Sequence, residues 1–501
     1  MSTTFNKLIK GAGLSFFGQI VGTAIKYLTQ IMLAWLLGAE TFGLYTLGII
    51  IYQLGELFSR MGLETGAIRY ISIHHDANDQ RRLKGVLLQS MGLPFISGLA
   101  FGWVLFLASE PIAQTIFKAP TLTPALRLFA LALPFGASAT AGIFATTGFQ
   151  IASYKVFVWE ILLPLINLIL AFVLCGLGWG LWGATAAWLF ALIASLLITI
   201  QAIRGIFPNL LTTTLKPIFE SKKLLAFSLP LSFGSFLWLV MLWTDALMLG
   251  YFRPAAEVGI YRAASQTALL MTLFTRSLVT LFTPMIARLY STGALEELDK
   301  LFSTAARWSF SLTLPLFLIL AVAGGDVMSI FGQDFEIGWI PLIILAAGQL
   351  ARAGPGGFAM HILSMSGHQY LKLVGDIILA ATNVGLNLLM IPQWGLMGAA
   401  IATGISILAV NLLRILQVQL VLNMHGFNWS YLKAIGAGAI ATVISLVINS
   451  RMIAVSSPIN ILITTAVIIA IYIPLLLIMG LEKSDQLVLR KVQQKVTYHK
   501  H

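Results

Sequence analysis

The chain has 501 residues, of which 58% are hydrophobic and only 10% charged, and its mean hydropathy is +0.89. Soluble domains carry roughly 25% charged residues, so an ordinary soluble enzyme or binding module is excluded, and no polar connection exceeds about 20 residues, too short for a soluble domain of its own. The formal net charge of +12 does not point to nucleic acid, because the basic residues collect in short loops on one side of the apolar runs, as the positive-inside rule requires.

Lys7 and Lys10 precede an apolar run from Leu14 to Leu37. The run is too long for a signal peptide and lacks a small-residue cleavage site, so it reads as a retained span. Apolar runs long enough to cross a hydrocarbon core then recur along the chain. They predict six helices near 13–37, 42–62, 84–108, 122–147, 155–176 and 180–203. A polar, basic stretch from Arg204 to Lys223 reads as a surface linker. Six more helices are expected near 224–250, 258–283, 307–330, 338–363, 370–391 and 395–419. Two further helices near 432–450 and 457–480 have no counterpart, and the tail from Glu482 to His501 is charged and basic. The single cysteine, Cys175, lies in an apolar run and reads as a packing residue.

The second half echoes the first. Phe42-Gly43-Leu44-Tyr45 returns as Val258-Gly259-Ile260-Tyr261, an offset of 216. Leu93-Pro94 returns as Leu314-Pro315 and Pro134 as Pro355, both at 221. Thr147-Gly148-Phe149-Gln150 returns as Ser366-Gly367-His368-Gln369. Glu160-Ile161 and Asn167 return as Asp376-Ile377 and Asn383, and Gly180-Leu181-Trp182-Gly183-Ala184 as Gly395-Leu396-Met397-Gly398-Ala399. Each match is weak alone; several in order make an internal duplication. The expectation is an all-α polytopic membrane protein of about 14 transmembrane helices. It divides into an N-terminal six-helix bundle (1–203), a cytoplasmic linker (204–223), a C-terminal six-helix bundle (224–420), and two extra helices with a basic tail (421–501). An even number of spans per copy gives a pseudo-twofold along the membrane normal.

Orientation follows from the loops. Arg69, Arg81, Arg82, Lys84, Lys155, Lys216, Lys222, Lys223, Arg288, Lys300, Lys372 and Lys433 fall on one side, with Lys483, Arg490, Lys491, Lys495 and Lys500 of the tail. Lys118, Arg253 and Arg451 fall on the other. Both termini are therefore expected to be cytoplasmic, in the inner cell membrane.

Two six-helix units, two extra helices and the Leu36–Tyr45 turn (LLGAETFGLY) resemble the MOP flippase superfamily. Ile330-Phe331-Gly332-Gln333-Asp334-Phe335 further resembles its polysaccharide-biosynthesis branch, the O-antigen and exopolysaccharide repeat-unit flippases. The resemblance implies a transporter, not an enzyme, that carries a polyprenyl-diphosphate-linked oligosaccharide across the cytoplasmic membrane by alternating access. Its partners would be that substrate, membrane lipid and, as candidates, other polysaccharide-assembly membrane proteins.

An ionisable side chain inside a span costs several kcal/mol unless paired or hydrated, so each is a functional candidate. Lys26 and Arg352 lie mid-helix, too deep to reach the headgroups easily, and with Arg262 form a candidate substrate-binding set for diphosphate or acidic sugars. Arg60 and Arg276 are equivalent under the repeat, as are Glu160 and Asp376; these four are candidate gate residues at matching depth. Glu56, four residues before Arg60, could instead pair with it along one helix face. Arg414 is expected to reach the membrane surface. Asp245, Asp376, Asn383 and Thr403 form an oxygen-rich candidate site for a coupling ion, H+ or Na+, as the superfamily resemblance implies. No catalytic or metal-ligating constellation and no phosphate-binding loop is present, so no other cofactor is expected. A cation-coupled multidrug antiporter of the same superfamily is the alternative. A membrane glycosyl polymerase or ligase would need a large outer loop, which the sequence lacks.

Overall fold

The computed structural model describes the backbone of residues 2–210, 212, 215–451 and 456–479, with side chains from residue 17 onward except 237, 238 and 241. The basic tail from Glu482 to His501 lies outside them, as do the side chains of Lys7 and Lys10. Among the described residues there is no strand. The chain packs as two compact units, Met1–Arg262 and Ala263–His501.

The first unit holds α1 (Ser2–Arg60), α2 (Leu63–Asp76), α3 (Gln80–Pro111), α4 (Leu122–Ala145), α5 (Ser153–Lys155), α6 (Leu163–Leu174), α7 (Gly180–Ile206) and α8 (Ser221–Phe252). It ends within α9 (Ala255–Leu269). The second holds α10 (Thr272–Ser291), α11 (Leu295–Val322), α12 (Gly324–Ser329), α13 (Trp339–Ala353), α14 (Pro355–Met365), α15 (Gln369–Leu422), α16 (Tyr431–Arg451) and α17 (Ser457–Ile478). Packing thus groups the seventh predicted span, α8, with the first unit, although by sequence it opens the second repeat.

The longest helices are pairs of spans folded at a glycine. In α1 the reversal is the single residue Gly38, at φ 72° and ψ 170°. A Cβ would be strained there. Ala39, Glu40 and Thr41, which fall within the expected Leu36–Tyr45 turn, are already helical. Gly180 (φ 49°, ψ −127°) and Gly395 (φ 51°, ψ −129°) adopt nearly the same unusual conformation at equivalent positions of the two repeats. The duplication read from sequence is therefore written in the backbone as well. Nine helical stretches among the described residues are long and apolar enough to cross a membrane, or ten with the pair α9 and α10, bent by 42°. Counting each limb of the three folded stretches as its own crossing, with the bent pair and α8 as one each, is consistent with about 14 spans at roughly 20 residues each. The chain is a multi-pass membrane protein.

In the first unit α4 is the central element, packed by α1, α3 and α7. Its run of small residues, Ala-rich from Ala130 to Ala145, suits a helix buried on most of its circumference. Pro94, Pro134 and Pro315 lie inside helices, whereas Pro164 and Pro355 stand in first turns. Pro355 marks a real difference between repeats: α4 runs through Pro134, but α13 and α14 are separated at Gly354. In the second unit the two extra helices pack on α11. Tyr472 donates to the Ser311 carbonyl at 2.9 Å, and Gly438 lies against Leu314 and Leu318.

The linker is held against the first unit. Ile218 N–H donates to the Arg81 carbonyl at 3.0 Å, Arg81 to that of Lys216 at 3.2 Å, and Lys84 to those of Thr212 and Leu215. The basic loop before α3 and the basic linker therefore share one end of this unit.

Candidate functional site

On the first limb of α1, Gly18, Gly22 and Lys26 follow one face at intervals of four. A Cβ at Gly18 would overlap Val156, and one at Gly22 would lie 2.2 Å from the Glu160 carbonyl oxygen. The two glycines let α1 approach the Val156–Leu162 turn, which is a π-helix. One turn further on, Lys26 Nζ reaches Glu160 Oε2 at 2.9 Å. The extra residue of a π turn re-aims side chains and is frequent at functional sites.

Arg60 lies 3.5 Å from Glu56 and 3.5 Å from Glu64, and Glu56 also accepts a hydrogen bond from Thr140 at 2.8 Å. Arg60 and Glu160, candidate gate residues, thus have separate partners within the first unit. Asp245 is buried and accepts a hydrogen bond from Tyr261 at 2.7 Å. The Arg262 guanidinium rests 4.3 Å from the Trp243 ring centroid.

The second unit treats the equivalent positions differently. Asp376 Oδ1 accepts from Arg414 at 2.5 Å and Oδ2 from Lys372 at 2.8 Å. Arg414, expected at the membrane surface, is instead buried, with a side chain only 5% exposed; Gly375 leaves room beside its guanidinium. The acid at 376 repays its burial, which the isolated sequence position did not reveal. Arg352 stands in the last turn of α13 at the Gly354 break, exposed from the protein, and Arg276 on α10 is exposed too. Neither makes a side-chain hydrogen bond or ion pair among the described residues. Arg352 is within electrostatic range of Arg276, Arg414 and Asp376, and His361 within range of Arg352, Lys372 and Arg414. Lys372 and Arg414 thus hold Asp376 directly, Arg352 is within its electrostatic range, and Arg276 is within range of Arg352.

Of the candidate ion-coupling set, Asn383 donates to Thr403 at 3.3 Å and accepts from Asn387 at 3.1 Å. Both oxygens of Asp376 are engaged by cations, and Asp245 belongs to the other unit. Among the described residues, no three His, Cys, Asp or Glu side chains come together as a metal site. Sequence reasoning passed over Glu64, Tyr261 and Arg414 as partners. The spacing of four from Arg60 to Glu64 could have revealed the first; the other two meet their acids only through tertiary packing.

Comparisons with known proteins agree with this fold. The family described as "Polysaccharide biosynthesis protein" matches residues 8–290, and MatE matches residues 230–369. The chain is 26% identical over 235 residues to the probable low-salt glycan biosynthesis flippase Agl15 of Haloferax volcanii, covering 45% of this chain and 47% of that protein. It is 25% identical to the probable flippase AglR of the same organism, covering 42% of this chain and 45% of that protein. The chain thus spans about half the length of these curated relatives. Against the putative O-antigen transporter of Shigella flexneri, identity is 23% over 81% of this chain and 96% of that protein. Among solved structures, the lipid II flippase MurJ in an inward closed conformation superposes with a TM-score of 0.68 at 16% identity, over 92% of this chain and 98% of that one. An inward-facing multidrug resistance MATE family transporter gives 0.64 at 16% identity, over 81% and 98%. By the family match over more than half its length, the chain belongs to the polysaccharide biosynthesis protein family, within the MOP flippase superfamily.

Proposed function

We propose that this protein moves a polyprenyl-diphosphate-linked oligosaccharide across the inner membrane by alternating access, with both termini cytoplasmic. The observation that carries the reading is a local charge surplus in the second unit, where Arg276, Arg352, Lys372 and Arg414 share one neighbourhood with the single carboxylate of Asp376. Unpaired guanidiniums within a span are retained where water or an anion repays their desolvation. A diphosphate offers two oxygens to each planar fork, which suits Arg better than Lys. Lys26 and Arg262 are proposed as substrate contacts in the first unit, and Arg60, Glu160, Arg276 and Asp376 as gate residues, each pair within its own unit. Asp245 in the first unit, and Asp376, Asn383 and Thr403 in the second, are the residues proposed for ion coupling, to H+ or Na+.

The MatE match over residues 230–369 favours a second reading, a cation-coupled multidrug antiporter. Organic cations call for an acidic, aromatic pocket, and the surplus is of the opposite sign. The deciding experiment is deletion of the gene in its host. The flippase reading expects accumulation of a polyprenyl-linked repeat unit and loss of surface polysaccharide, both restored by the wild-type gene. Unchanged lipid-linked pools together with new sensitivity to cationic drugs would reject it in favour of the antiporter.

A further inference from the structure

At the end of the first unit that carries the basic linker, four segments meet around a cavity that the candidate transport residues do not line. There α2 stops on a left-handed Asn78 (φ 53°), whose amide donates to the His75 carbonyl at 3.0 Å, and the Asp79 amide donates to that of His74 at 2.9 Å. Asn is one of the few residues other than glycine that accept this cap. Asp79 in turn caps α3, accepting from the Arg82 amide at 3.1 Å. The turn so fixed holds His75, Asn78 and Gln80 beside the end of α7 and the turn after α4, around a space of about 260 Å³.

The floor of this space is apolar and its rim is polar. Leu83, Phe149 and Phe207 are buried, with Ile206 half-buried beside them. His75, Asn78 and Gln80 are exposed. The His75 and Phe149 rings meet edge to face, with centroids 5.4 Å apart. The lining thus offers aromatic surface to a flat ring, and two side-chain amides with donors and acceptors to that ring's edge. Gln80 Oε1 accepts from Asn209 at 3.4 Å, which leaves the Gln80 N–H groups to donate. Aromatic rings joined to polar edge contacts are how proteins hold an unpaired base. Asn and Gln amides match the adjoining donor and acceptor of adenine. An apolar ring such as a phenylalanine side chain would give neither amide a partner. The acids at this end already have cations: Asp76 lies 3.7 Å from His75, Asp79 3.3 Å from Arg82 and Glu220 2.8 Å from Lys223. Arg81 follows Gln80 and Arg204 precedes Ile206 by two residues, and both are exposed, so the surroundings favour an anionic group beyond the ring.

We propose that this cavity binds the base of an adenine nucleoside or nucleotide, with the ring inside and the sugar outside. His74 forms part of the wall and lies 3.2 Å from Glu220 of the linker. A bound ring is therefore one side chain away from the contacts that hold the linker to this unit, which is the place for a regulatory ligand.

The test uses the full-length protein in lipid nanodiscs, which expose both faces, and saturation-transfer difference NMR with empty nanodiscs as control. The probes are adenosine, adenosine monophosphate and N-acetylphenylalanine amide. Adenosine or its monophosphate should show stronger transfer to the base protons than to the ribose. Gln80→Leu should weaken binding about tenfold, the loss of one edge contact. Ile151→Trp, which fills the space from its lining, should abolish it; a melting temperature near the parent's shows that each variant is folded. Equal binding of the two adenine probes identifies a nucleoside site. Tighter binding of the monophosphate, weakened by salt, identifies a nucleotide whose phosphate meets the basic surface. Absence of transfer to both adenine probes overturns the proposal. So does binding unchanged in the folded variants, or N-acetylphenylalanine amide bound as tightly as adenosine, which would mark a socket for a partner's aromatic side chain. Should Ile151→Trp fail to fold, Gln80→Leu on the exposed rim decides. No export assay enters, so a failure of the oligosaccharide reading is seen separately.

Discussion

The two repeats place the same residue types at the same offsets and then use them in opposite ways. In the first, Arg60 is flanked by Glu56 and Glu64, and Glu160 is met by Lys26. In the second, the equivalent Asp376 is shared by Arg414 and Lys372, while Arg276 stands apart from any ion pair among the described residues and Arg352 has been added nearby. Duplication preserved the frame, down to the dihedrals of Gly180 and Gly395. What diverged is the charge balance at these positions: Arg60 and Glu160 of the first repeat are each met by opposite charges, whereas the neighbourhood of Asp376 in the second holds a local surplus of cations. Within a membrane such a surplus needs an external partner, and that is where function should be sought.

The largest expected effect follows from the surplus. Arg352→Ala should insert normally and lose most repeat-unit export, because an unpaired cation can be removed without stranding an acid. Arg352→Lys keeps the charge but not the fork and should retain partial export. Arg276→Ala should fall between them. Export assayed in the deletion strain, beside melting temperature in detergent, reads both quantities. Normal export by Arg352→Ala would remove the anion-binding role of the second unit.

Asp376→Asn probes the opposite failure. It leaves Arg414, 5% exposed, without its carboxylate, and should destabilise the protein by roughly 3 kcal/mol, the low end for breaking a buried pair. Arg414→Met in the same chain should restore most of that stability, since the stranded charge is gone. If the single variant melts like the parent, the Arg414–Asp376 pair is not structural.

The contrast also explains what the sequence could and could not tell. Spans were legible because each must satisfy its own backbone in lipid, which forces long apolar runs. The repeat was legible because its markers are glycines and prolines, whose backbone demands resist drift. The Lys372–Asp376 pair was within reach, being one helical turn apart. Arg414 was not: it lies 38 residues from Asp376, and no periodicity within one helix encodes which neighbour another helix will present. Grouping α8 with the first unit escaped for the same reason, since packing depends on Gly62 and Gly66 meeting Ser228.

Lys26 and Glu160 give a smaller effect that tells two roles apart. The Lys26 side chain is 47% exposed, so breaking the pair should cost no more than about 1 kcal/mol of stability. If Lys26 serves only to position the π turn, Lys26→Met and Glu160→Gln should lower export equally, and the double variant should add nothing. If Lys26 also contacts a passing anion, Lys26→Met should lose several-fold more export than Glu160→Gln.

The smallest effect lies at the linker, outside the spans. Glu220 lies 2.8 Å from Lys223, 3.2 Å from His74 and 3.8 Å from Arg82. The hydrogen bond from Lys223, aided by the charges of Lys223, Arg82 and His74, holds its carboxyl below the ordinary value of 4.5. A carboxyl depressed in the folded state adds stability above its ordinary value and loses it as pH falls through the lower, folded one. Lys223 is largely exposed, so solvent screening limits the gain to below about 1 kcal/mol. The sensitive reporter is local: hydrogen exchange of the Ile218 amide, which donates to Arg81 beside this cluster. At pH 7, Glu220→Gln should speed that exchange by up to about fivefold, the ratio corresponding to a local opening made easier by at most about 1 kcal/mol. Once intrinsic rates are divided out, the ratio should fall toward unity as pH drops below 4.5. A ratio that stays constant across that interval would mean the linker is held by Arg81, Lys84 and the backbone alone, with Glu220 a bystander.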